Sequence, residues 1–118
     1  MEKEDIEREK TTQEIVVPPY LVNFTSFGLL DVKLPDGFAD VSSKNEVCPR
    51  FDHAAAGVGV WVNFKRIEDR RDQVKDRPRF WVYITRDEDG NPVDEKPGKI
   101  TLETDDWQEV LAYIQRRL

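Results

Sequence analysis

Two stretches decide the fold: Val58-Gly-Val-Trp-Val-Asn-Phe-Lys65 and Arg79-Phe-Trp-Val-Tyr-Ile-Thr-Arg86. In the first, Val58, Val60, Val62 and Phe64 alternate with Gly59, Trp61, Asn63 and Lys65. In the second, Phe80, Val82 and Ile84 alternate with Arg79, Trp81, Tyr83 and Thr85. Successive side chains of a strand point to opposite faces, so a period of two predicts two half-buried strands. A charged connection, Arg66 to Pro78, separates them.

Downstream, Asp87-Glu-Asp-Gly90-Asn-Pro92 and Glu95-Lys-Pro-Gly98 read as polar turns, and Ile100 and Leu102 are expected to point inward from a short third strand. The spacing of Trp107, Val110, Leu111, Ile114 and Leu118 predicts an amphipathic C-terminal helix. Asp105 with Gln108 offers a capping box there, and Thr104 is the alternative cap. Asp105 and Asp106 suit the positive end of the helix dipole, Arg116 and Arg117 the negative end.

Upstream, Leu30, Val32 and Leu34 alternate with Asp31 and Lys33, and Pro35-Asp36-Gly37 is a turn signal. Phe38 to Ser43 is expected to return as the hairpin partner. Ile15-Val-Val and Tyr20 to Phe24 read as short extended pieces interrupted by Pro18-Pro19, and 44–57 reads as an irregular connection. The expected fold class is α+β: an antiparallel sheet of about five or six strands packed by the C-terminal helix. Residues 1–14 form a polar acidic arm, and 15–118 a single domain.

The length, 118 residues, suits one domain, and the apolar fraction of 38% against 36% charged predicts a thin core. Cys48 is the only cysteine, so no internal disulfide forms and a reducing, cytoplasmic setting is expected. No stretch approaches the roughly 20 apolar residues of a membrane helix, and the acidic start is not a secretory signal. Net charge is −6, which argues against attraction of the whole surface to nucleic acid or anionic lipid. Residues 63–86 are the exception, with eight positive charges against four negative.

No catalytic constellation emerges. His53 is the only histidine, and its neighbours Cys48 and Asp52 supply neither an oriented nucleophile–base pair nor a fourth metal ligand. Gly57-Val-Gly59 precedes a strand and lacks the helix N-terminus of a phosphate loop. Asp87, Glu88, Asp89 and Asp94 lack calcium-loop spacing and read as a solvated hairpin tip. A non-enzymatic protein without metal or cofactor is expected.

Binding is the more productive reading. If the two strong strands are adjacent, Trp61, Lys65, Arg79, Trp81, Tyr83 and Arg86 form a patch of rings edged by cations, with Arg66 beside it. Single-stranded nucleic acid is held by that combination, each stacked base contributing about 1–3 kcal/mol. The alternative is that the helix or the N-terminal hairpin covers the rings as ordinary core. Arg66 to Arg79 is similarly open, either a mobile basic loop or a short, self-paired helix.

Residues 79–118 resemble the transcriptional coactivator positive cofactor four (p15) family. The resemblance lies in Arg79-Phe-Trp-Val-Tyr-Ile-Thr-Arg86, the acidic glycine turn, Lys96-Pro-Gly-Lys-Ile-Thr-Leu102 and the Trp107-headed helix. It implies a curved antiparallel sheet, dimerisation through the C-terminal helix and single-strand binding on a basic sheet ridge. Strand 58–65 matches the family's preceding strand if 66–78 is an insertion. The leading expectation is a dimeric single-stranded DNA- or RNA-binding protein linked to transcription or replication. The rival is an acidic protein-interaction module that docks a basic partner through Asp87–Glu95 or the N-terminal arm.

Overall fold

A computed structural model describes residues 17–94 and 98–118. The 1–14 arm, Ile15 and Val16 of the first extended piece, and Glu95, Lys96 and Pro97 of the second turn lie outside the described residues. In chain order the elements are α1 (Pro19–Asn23), β1 (Phe38–Asp40), β2 (Arg50–His53), β3 (Val58–Val62), β4 (Phe80–Ile84), β5 (Ile100–Thr104) and α2 (Trp107–Arg117). The five strands form one antiparallel sheet in the order β1-β2-β3-β4-β5. The fold is α+β, and no helix among the described residues is long and apolar enough to cross a membrane.

The aliphatic faces of the two strong strands meet α2, as their alternation requires. Phe51, Val58, Val60, Val62, Phe80 and Val82 are buried with Val110 and Ile114 of α2. Each fully buried valine there contributes about 1.5–3 kcal/mol relative to exposure. Asp106, not Asp105 or Thr104, caps α2, accepting the Gln108 amide at 2.9 Å. Thr104 instead accepts the Asp106 amide through Oγ1 at 3.0 Å, and Asp105 accepts the Arg79 amide at 2.9 Å. At the other end Arg117 Nε donates to the Ala56 carbonyl (2.9 Å) and ties α2 to the β2–β3 turn.

The N-terminal half departs from the expected hairpin. Tyr20–Phe24 is not extended: Pro19 opens the short helix α1, a position where its missing N–H costs nothing. Leu30, Val32 and Leu34 pack against the helix-side core as coil, without a strand partner. Their alternation reflects one-sided burial alone. Phe38–Asp40 pairs instead with Arg50–His53, inside the stretch read as irregular, with Phe38 opposite His53 and Asp40 opposite Phe51.

Two further corrections bear on the loop side of the sheet, the face away from α2. β3 ends at Val62, and Phe64 packs with Phe24, Phe27 and the tryptophans, not with the valines that precede it. A bulge in β5 puts Leu102 opposite Val82 but Ile100 opposite Tyr83. The extra residue, Thr101, sends Ile100 and Leu102 to opposite faces, where unbroken alternation would place them together.

Candidate functional site

The expected ring-stacking face exists as a face but not as a surface. Trp61 lies opposite Trp81 and Gly59 opposite Tyr83 in the β3–β4 register. The ring centroids of Trp61 are 6.1 Å from Trp81 and 6.0 Å from Tyr83. Yet Trp61, Trp81 and Tyr83 are only 7%, 3% and 1% exposed. The expectation that they meet solvent is therefore corrected.

The cover is neither α2 nor a second layer of strands. Cys48 and Val47, from the connection before β2, and Val74, Phe24 and Phe64 pack with the rings in one buried cluster. The connection 66–78 adopts two short 3₁₀ turns, Ile67–Asp69 and Asp72–Val74. The buried Asn63 amide holds this segment by donating to the Val74 carbonyl at 3.0 Å, and Trp81 Nε1 donates to the Pro78 carbonyl at 2.8 Å. Two guanidinium groups finish the lid. Arg50 lies over Trp61 (5.4 Å) and Tyr83 (5.7 Å), and Arg77 over Trp81 (5.3 Å).

Most cations near this face are committed within the chain. Arg66 Nη2 contacts Glu68 at 2.6 Å, Lys75 contacts Asp72 at 3.4 Å and Arg77 contacts Glu103 at 3.1 Å. The self-paired form of the 66–79 segment is thus the one observed. Arg79, itself buried, donates from Nε to the Asn63 carbonyl (2.6 Å) and grips Asp31 through both Nη atoms (3.0 and 2.6 Å). That grip holds the Asp31 carboxyl below its ordinary pKa. Lys65 and Arg66 are exposed just past β3. Arg86 sits beyond the far end of β4, seven residues and roughly 20 Å of strand from Arg79. By alternation it faces the helix side. The sheet brings together Trp61, Trp81 and Tyr83, places Arg79 at their margin, and separates Lys65 and Arg66 from Arg86.

Under the lid lies a polar chain that periodicity does not reveal. Tyr83 Oη donates to Asp52 Oδ1 and accepts from Arg50 Nη1 at 3.2 Å, while Arg50 Nε lies 3.0 Å from Glu46. Burial, reinforced by the Asp52 hydrogen bond, pushes the Tyr83 phenol pKa upward. Cys48 is fully buried, and burial pushes its thiol up as well. His53 belongs to the opposite face, beside Phe38; its Nδ1 accepts the Ala56 amide and its Nε2 faces the Asp36 carbonyl. Cys48 and His53 are therefore not a nucleophile–base pair, and among the described residues no three potential metal ligands converge.

The acidic hairpin after β4 is exposed and held by its own hydrogen bonds. Its shape is fixed by Asp87, whose Oδ1 accepts the amides of Asp89 (3.0 Å) and Asn91 (2.9 Å). Asp87 N donates to the Asn91 carbonyl at 2.8 Å, Val93 N to the Thr85 carbonyl at 3.1 Å, and Gly90 takes the left-handed conformation at φ 85°. Glu88, Asp89 and Asp94 are exposed and form no ion pair among the described residues. A cleft of about 370 Å³ beside the hairpin is lined by Ile84, Asp87, Pro92, Val93, Asp94 and Lys99.

No protein-family model, curated protein or solved structure matches the chain.

Proposed function

We propose that the chain is a non-catalytic interaction module that docks a basic protein segment on the acidic hairpin Asp87–Asp94. One observation carries this reading: Asp87 alone satisfies the turn amides, so Glu88, Asp89 and Asp94 are presented on an ordered backbone with their carboxylates unspent. A preorganised donor or acceptor array binds with less ordering cost than a flexible one, and opposite charge on the partner speeds encounter. Single-strand binding by base stacking needs exposed rings, and the basic ridge that the p15 resemblance implies needs clustered cations. The candidate rings are internal, and Lys65, Arg66 and Arg86 do not share one surface.

Fluorescence anisotropy at low salt separates the two readings, with a labelled Lys/Arg-rich peptide in one arm and a labelled oligothymidylate in the other. The expected result is peptide binding that weakens with salt and is lost when Glu88 and Asp89 are both changed to Lys. Oligothymidylate binding that disappears in Lys65→Glu or Arg86→Glu, with no peptide binding, would reverse the assignment.

A further inference from the structure

At the end of the sheet opposite Arg79, two arginines approach one turn, and neither meets a carboxylate among the described residues. In this acidic chain Arg50, Arg66, Arg77 and Arg79 each meet a carboxylate, and Arg70 is spent on the carbonyls of Phe64 and Arg77. Arg86 and Arg117, like Arg71 and Arg116, form no ion pair among the described residues. Arg86 and Arg117 nonetheless converge on the Gly57 turn. A Cβ at Gly57 would lie 3.7 Å from Arg86 Nε and 3.7 Å from Arg117 Nη2. The two nitrogens are therefore separated by no more than twice that distance.

The turn holds the backbone of Arg86 and the side chain of Arg117. The Gly57 carbonyl accepts the amides of Thr85 (2.8 Å) and Arg86 (3.3 Å), which sets the Arg86 backbone beside the turn. Arg117 spends Nε on the Ala56 carbonyl (2.9 Å), which leaves its Nη groups unused by any described hydrogen bond. Gly57 is left-handed at φ 67° and carries no side chain between them. The dipole of α2 explains a cation at position 117, but Arg86 lies on a strand extension and has no such reason to be there. Two guanidinium groups within this span add their positive potentials, which favours an anion between them.

We propose that Arg86 and Arg117, meeting across the Gly57 turn, form a binding site for a phosphate group. A phosphate oxygen takes charge-assisted hydrogen bonds of roughly 2.8 Å from each side, and the guanidinium fork suits its geometry better than an ammonium does. The ligand is a phosphate ion or the phosphoryl end of a small monoester. The site lies on the helix side of the sheet, so it is independent of the hairpin proposal.

The test is ¹⁵N NMR of the arginine Nε–Hε signals of the full chain, titrated with sodium phosphate and, separately, phenyl phosphate, at ionic strength matched with sodium chloride. Saturable shifts at Arg86 and Arg117, absent at Arg66 and Arg79, are expected. Saturation by inorganic phosphate alone assigns the site to the free ion, and saturation by both assigns it to a monoester. Arg86→Gln should weaken binding roughly tenfold or more. It removes no described side-chain hydrogen bond, so its folding is a fair control. Non-saturating drift shared by every arginine, or unchanged affinity in Arg86→Gln, overturns the proposal.

Discussion

Arg79→Met separates a structural arginine from a ligand-contacting one. Methionine preserves much of the apolar stem that lies along Phe80, whose ring is 5.3 Å from the guanidinium carbon. It removes three donors, one to Asn63 and two to Asp31. Asn63 is wholly buried, so its carbonyl loses a partner where water does not readily replace it, at about 1–3 kcal/mol. The Asp31 side chain stays 34% exposed and rehydrates, which limits the ion-pair loss to about 1 kcal/mol. The sum, about 2–4 kcal/mol, corresponds to roughly 8–15 °C in Tm for a domain of this size. Urea unfolding of the wild type, Arg79→Met, Asp31→Asn and the double variant measures it. Asp31→Asn should cost less than Arg79→Met, and the cycle should show about 0.5–1.5 kcal/mol of coupling. An Arg79→Met variant within about 0.5 kcal/mol of wild type, at unchanged m-value, would refute the view that Arg79 ties the 27–34 coil to the sheet.

Gly59→Ala should destabilise by about 3 kcal/mol or more, because its Cβ would intrude on the Tyr83 phenol and Asp52 Oδ1; thermal unfolding reads this directly. Cys48 should react with a thiol reagent at least about 100-fold more slowly in the native protein than in urea, since it is buried and its thiol is held protonated; fast native labelling would contradict the lid over the loop side. The Asp31 carboxyl, lowered by the Arg79 hydrogen bonds from an ordinary 3.8, contributes stability above that pH and loses it as pH falls through and below 3.8. Asp31→Asn should therefore show a flatter decline of Tm over that acid range than the wild type does.

The half of the chain from Val58 onward was the legible half, because strand alternation and helical spacing are both enforced by one core. The alternation in 58–62 and 80–84 marks real strands, but both faces of them are buried where half-burial was expected, and of the helical stripe Val110 and Ile114 are buried while Leu118, past the end of α2, is exposed. What failed upstream failed for a definable reason. Leu30, Val32 and Leu34 alternate because a coil lying on a core also buries every second residue, and sequence does not reveal whether a neighbour accepts its backbone hydrogen bonds. β2 is only four residues long, so two alternations in Arg50–His53 gave too short a signal against the turn residues around it. The β5 bulge was invisible for the same reason, since Ile100 and Leu102 match an unbroken strand equally well.

The aromatic face exposes a more general ambiguity. Rings alternating with arginines describe a nucleic-acid platform, but they equally describe a buried layer whose lid is made of guanidinium groups. The two differ in where the arginines find their counter-charge. On a platform the phosphates supply it, so the cations stand clear of acidic neighbours. Here Glu46 is four residues from Arg50 and contacts it, Glu68 is two from Arg66, and Glu103 reaches Arg77 from β5. Internal pairing neutralises the arginines and lets Arg50 and Arg77 sit over Trp61, Tyr83 and Trp81 as cover. The first two pairings were visible in the sequence as local spacing. The third depended on strand order, which only the fold supplies. By the same reasoning, cations without an internal partner are the ones open to an outside anion, and among these Arg86 and Arg117 are set apart by converging on the Gly57 turn.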